Sequence, residues 1–169
     1  MRYKIVPAPE PGGLDTLLSV QRAVPLVPKP VEDCCTRIRD RTAVSSRDAA
    51  RRWLTFCVAL ELVEETDRGY HRRSGEPDRE ALAEAFGDRV FAAREVRGAL
   101  PRGSEADPPS TETVFAAVRE SVPRWERDRV QDWESEWTER VRRLLEWWVA
   151  FGAVERIEEG YRRSGSRSG

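Results

Sequence analysis

The chain has 169 residues, enough for one domain of ordinary size or two small ones. Charged residues make up 35% of it, yet the formal net charge is −1, which excludes the strongly basic balance of a non-specific nucleic-acid binder. No apolar run approaches the roughly 20 residues of a membrane span, and the N-terminus lacks a signal-peptide core, so a cytoplasmic protein without membrane contact is expected.

In chain order, residues 2–6 could form a short strand, broken by Pro7, Pro9, Pro11 and the Gly12-Gly13 pair. A helix is expected over 14–24 with Leu14, Leu17 and Leu18 inward, interrupted by Pro25, Pro28 and Pro30. A second short helix follows over 31–41, with Pro30 at its start. Ser45 or Ser46 would cap a third helix over 47–62. Its helical spacing puts Ala50, Trp53, Phe56, Cys57 and Leu60 on one side, and Arg47, Asp48, Arg51, Arg52 and Thr55 on the other. After Leu62 the period changes to a hairpin: Val63-Glu64-Glu65, a turn at Asp67-Arg68-Gly69, then Tyr70-His71-Arg72.

The second half begins with a helix expected over 79–100. A polar loop over 101–110 separates it from another helix over 111–122. The longest helix is expected to start near Trp125 or Glu126 and run to about Gly152. Val130, Trp133, Trp137, Val141, Leu144, Trp148 and Phe151 recur along it every three or four residues. At about 1.5 Å per residue such a helix spans roughly 40 Å, more than a small three-helix core can cover. Trp133 and Trp137, at its front, are therefore candidates for a homodimer interface.

Residues 51–72 and 142–163 align without a gap. They share Arg51/Arg142, Arg52/Arg143, Leu54/Leu145, Val58/Val149, Ala59/Ala150, Val63/Val154, Glu64/Glu155, Gly69/Gly160, Tyr70/Tyr161 and Arg72/Arg163. One supersecondary unit is used twice. Trp53, Leu54, Cys57, Val58 and Leu60 are the expected core of the first copy, and Leu144, Leu145, Trp148, Val149 and Phe151 that of the second. Gly69 and Gly160 suit a position needing positive φ.

A helix ending in ELVEETDRGYHR, matched by AVERIEEGYRR, resembles the third helix and wing of a winged helix-turn-helix domain. The whole chain resembles tandem winged-helix proteins of halophilic archaea. The resemblance implies a mainly α fold with two small hairpins as wings. It gives a first domain over 1–76 and a second over 77–166, with an extended third helix and a connector helix over 79–100, and a disordered tail at 167–169.

Cys34, Cys35 and Cys57 lack paired ligand spacing and His71 is the single histidine, so no metal site or other cofactor is expected. No phosphate loop, nucleophile elbow or ligand cluster is present, and no catalytic residue is assigned. Two function classes stay open. As a transcription-regulator-like protein, the chain would contact double-stranded DNA through Arg47, Arg51, Arg52 and Thr55 of the third helix, with Arg68, His71, Arg72 and Arg73 of the first wing. The second copy is a poorer reader, because Glu139 and Glu146 stand where Asp48 and Thr55 do. The halves differ slightly in the same direction, with 13 basic and 11 acidic groups in 1–76 against 16 and 19 in 77–169, which favours the first half for a polyanion. As an assembly module, the tandem domains would instead bind a protein partner without touching DNA.

Overall fold

The fold is described from a computed structural model, for residues 3–4, 6–10, 12–75, 77–102, 107–129 and 131–164. The tail at 167–169 lies outside them, as do Arg2 and Ile5 of the expected first strand. The chain divides into two compact units, Met1–Val90 and Phe91–Gly169.

In the first unit, α1 (Leu14–Ala23), α2 (Val31–Arg41) and α3 (Arg47–Ala59) precede a hairpin of β1 (Val63–Thr66) and β2 (Gly69–Arg72). Ser46 caps α3, its hydroxyl accepting from the Ala49 N–H at 3.0 Å. The strands pair antiparallel around the two-residue turn Asp67-Arg68, with Val63 opposite Arg72 and Thr66 opposite Gly69. Leu17, Val20, Val24, Ile38, Leu54 and Phe56 fill the core. A fourth helix, α4 (Arg79–Arg89), adds to it through Phe86, whose ring meets Phe56 edge-on at 6.2 Å.

The second unit repeats the order with α5 (Ala93–Gly98), α6 (Thr111–Val118), a 3-10 turn (Arg119–Ser121), α7 (Arg124–Arg129), α8 (Trp133–Ala150), β3 (Val154–Ile157) and β4 (Gly160–Arg163). Val96, Val114, Val141, Leu145 and Trp147 are buried, and the Trp148 indole donates to the Ala93 carbonyl at 2.8 Å. Val58 and Val149, expected in the core, are half-buried, as are Leu14 and Leu18. In α8 the larger Trp147 and Trp148 take the inner positions beside Val149, and in α1 Leu17 and Val20 take them beside Leu14 and Leu18.

Both long helices of the second half are shorter than expected. The 79–100 helix is α4 and α5. Val90 is extended and forms a parallel bridge with Tyr3, whose N–H reaches the Arg89 carbonyl at 2.8 Å. Ala92 then turns left-handed at φ 69°. The 125–152 helix is α7 and α8, with a turn at 131–132 before α8. Arg127 fastens α7 to the preceding turn, donating to the carbonyls of Val122 and Arg119 at 3.1 and 2.9 Å. The 18 residues of α8 span about 27 Å.

The two copies are built by the same backbone devices. Glu61 (φ 64°) and Gly152 (φ 80°) end α3 and α8 in the left-handed conformation. The next N–H groups, of Leu62 and Ala153, reach back to the Cys57 and Trp148 carbonyls, closing a Schellman motif in each copy. Each return strand then docks on the segment before the second helix. Tyr70 and Lys29 exchange two backbone hydrogen bonds at 2.8 and 3.0 Å, and the Tyr161 N–H donates to the Pro109 carbonyl at 3.0 Å.

Close approach is why glycine begins both return strands. A Cβ on Gly69 would lie 2.1 Å from the Lys29 carbonyl oxygen, and one on Gly160 would lie 2.2 Å from that of Pro108. Positive φ applies only to Gly69, at 121°; in the second wing Glu158 takes the left-handed position, at 55°. The expectation for Gly160 is corrected accordingly. Finally, Arg72 donates to the Arg22 carbonyl near the end of α1, and Arg163 to those of Arg97 and Gly98 at the end of α5. Guanidinium groups suit these positions because the last carbonyls of a helix lack partners and carry its negative pole. The correspondence makes α5, rather than α4, the counterpart of α1.

Candidate nucleic-acid interface

Burial of Ala50, Trp53, Leu54 and Cys57 turns Arg47, Asp48, Arg51, Arg52 and Thr55 of α3 outward, and all five are exposed. Asp48, Arg51, Arg52 and Thr55 line one open depression. Arg47 is paired with Glu32 of α2, both side chains being more than half exposed. Among the described residues no ion pair or side-chain hydrogen bond engages Arg51 or Arg52. Two adjacent cations on an exposed helix face thus stand without a carboxylate partner among the described residues.

The wing divides its residues differently. Arg68 is exposed at the tip, where the Thr66 hydroxyl accepts from its backbone N–H and donates to the Gly69 carbonyl, both at 3.1 Å. His71 is half-buried, with Nε2 at 3.4 Å from Glu64. Arg72 is half-buried and spent in part on the Arg22 carbonyl at 3.3 Å. Arg73 is exposed but sits at the wing root, away from the tip. Of the eight residues singled out in the sequence, Arg51, Arg52, Thr55, Arg68 and Arg73 are exposed with no side-chain partner among the described residues, and Arg73 alone of these stands at the wing root.

The matched face of α8 is chemically closed. The Glu139 carboxylate accepts from Arg142 at 2.8 and 2.9 Å and from Arg143 at 2.9 Å. The hydrogen bond from Arg142, joined by that from Arg143, holds Glu139 down to about 2 against opposing burial. Glu146 is paired with Arg156 and accepts from the Tyr161 hydroxyl at 2.6 Å. Burial first, and then this carboxylate, raises the Tyr161 phenol above its ordinary range. Arg162 is held by Glu155 at 2.8 Å.

Arg156 was missed in the sequence, although a signal existed. It matches Glu65 of the first copy, a charge reversal on the strand facing the helix. Trp133 and Trp137 find partners within their own unit. Trp137 is buried and meets Phe91 edge-on at 5.8 Å. The Trp133 ring packs on Phe115 and lies under the guanidinium groups of Arg119 and Arg127 at 4.9 and 5.0 Å.

Among the described residues, no group of His, Cys, Asp and Glu could hold a metal ion, and no helix is long and apolar enough to cross a membrane. No curated protein and no solved structure matches the chain. A family model described as the halobacterial double winged helix domain matches residues 1–168, and the chain belongs to that family.

Proposed function

We propose that this protein binds double-stranded DNA through α3 and the wing tip of its first unit, with Arg51, Arg52, Thr55 and Arg68 as the contacting residues. In a winged helix-turn-helix the third helix enters the major groove and the wing reaches the backbone or the minor groove. The observation that carries the reading is the contrast between matched arginine pairs. Arg51 and Arg52 have no carboxylate partner among the described residues, whereas Glu139 binds both Arg142 and Arg143. A phosphate can neutralise the first pair at no cost in broken ion pairs, but must displace a carboxylate from the second.

Titration of a duplex with the full chain across a salt series tests this. The expected result is affinity that falls steeply with salt and a shallower slope for R51A/R52A. Absence of binding at low salt would refute the proposal. A protein-assembly role is the second reading, favoured by the neutralised α8 face, which suits a protein partner better than a polyanion.

A further inference from the structure

At the root of the first wing lies a depression of about 380 Å³, lined by Arg22, Arg72, Arg73, Ser74, Gly75 and Leu26. Pockets of this size accept small organic molecules. Three arginines line it, and no carboxylate does so among the described residues. Among the described residues, none of the three arginines forms an ion pair there.

The structural role of Arg72, capping α1 through the Arg22 carbonyl, leaves its Nε shut from solvent without a partner among the described residues. It also gives no reason for Arg22 or Arg73. The matched root of the second wing makes the excess plain: Arg163 is bonded through both Nε and Nη2, and Ser164 stands where Arg73 does. Leu26 supplies an apolar wall and is 59% exposed. Gly75 has φ 94°, and apart from its chain neighbours no described atom lies within 4 Å of where a Cβ would stand.

We propose that this depression is a binding site for a small organic anion, a phosphate monoester with an apolar body. Arg22 and Arg73 clamp the oxyanion, since the guanidinium fork matches phosphate geometry, and Leu26 covers the apolar body. Because Arg72 and Arg73 close the return strand, the bound anion ties the wing to α1.

Isothermal titration calorimetry of the full chain with phenyl phosphate and with inorganic phosphate tests the site. One site is expected, at least about tenfold tighter for phenyl phosphate. R22A/R73A, at two exposed positions and so close to neutral for folding, should lose about tenfold or more. L26S should narrow the gap between the two ligands, and R51A/R52A should bind phenyl phosphate as the parent does. No saturable binding, or an undiminished signal in R22A/R73A, overturns the inference. So does a preparation of R22A/R73A that loses duplex DNA as R51A/R52A does while the parent ignores phenyl phosphate, because the arginines would then serve the DNA backbone.

Discussion

Replacing Gly69 with alanine is expected to cost about 3 kcal/mol, and the same change at Gly160 about half as much. The added Cβ would enter the Lys29 carbonyl at 2.1 Å, so strand and segment must part. That breaks the two backbone hydrogen bonds between Lys29 and Tyr70, each worth about 0.5–1.5 kcal/mol net. Alanine at φ 121° adds about 1–2 kcal/mol of backbone strain. Gly160 has the same clash, at 2.2 Å, but one hydrogen bond to lose and no positive φ. Gly75→Ala isolates the third case, positive φ with open space, at about 1 kcal/mol. Equilibrium denaturation of the full chain measures all three by fluorescence, with Trp53 reporting the first unit and the other five tryptophans the second. If G160A fell within the roughly 0.5 kcal/mol of an ordinary surface substitution, close approach would not be what requires glycine there.

Gly152→Ala should destabilise the second unit by about 1 kcal/mol in the same assay, because the Schellman turn holds that residue at φ 80°. Glu139 has a folded value depressed from its ordinary 4.5 to about 2, so its contribution is present above pH 4.5 and is lost as pH falls from there toward 2. The carboxylate is 45% exposed, which limits that loss to about 1 kcal/mol or less, and E139Q should flatten this part of an acid unfolding curve. Burial raises the Cys34 thiol to about 11 and lifts those of Cys35 and Cys57 as well. Iodoacetamide at pH 8 should therefore leave all three unmodified in the native protein and label them after denaturation.

Local signals were well legible. The change of period after Leu62, the Asp67-Arg68 turn, the Ser46 cap and the inward face of α3 could all be read from neighbouring residues, and the gap-free repeat doubled each reading. What escaped depends on distant partners. The break at 90–92 is set by Tyr3 pairing with Val90, and Ala92 carries no glycine signal for its left-handed turn. The apolar stripe runs from Val130 to Phe151 in the sequence, but its members from Trp133 to Trp148 all lie on α8, and the turn at 131–132 before that helix leaves no mark in their spacing. Arg72 looks like a wing contact in sequence. Its bond to Arg22, 50 residues away, is invisible there.

The same distinction sharpens the site. Asp48 and Glu139 occupy matched positions, each three and four residues before an arginine pair. Only the longer side chain reaches: Glu139 bonds both of its arginines, and among the described residues Asp48 bonds neither of its own. Asp48→Glu adds one methylene group and leaves every formal charge in place. If the added reach lets residue 48 hold Arg51 and Arg52 as Glu139 holds Arg142 and Arg143, each phosphate must compete with an internal carboxylate. Duplex affinity should then fall, with a salt slope smaller by about 2 for the two contacts surrendered. Asp48→Asn removes the charge and should shift affinity the other way. A D48E protein that binds DNA like its parent would mean that net charge on α3, and not the pairing of its arginines, separates the two faces.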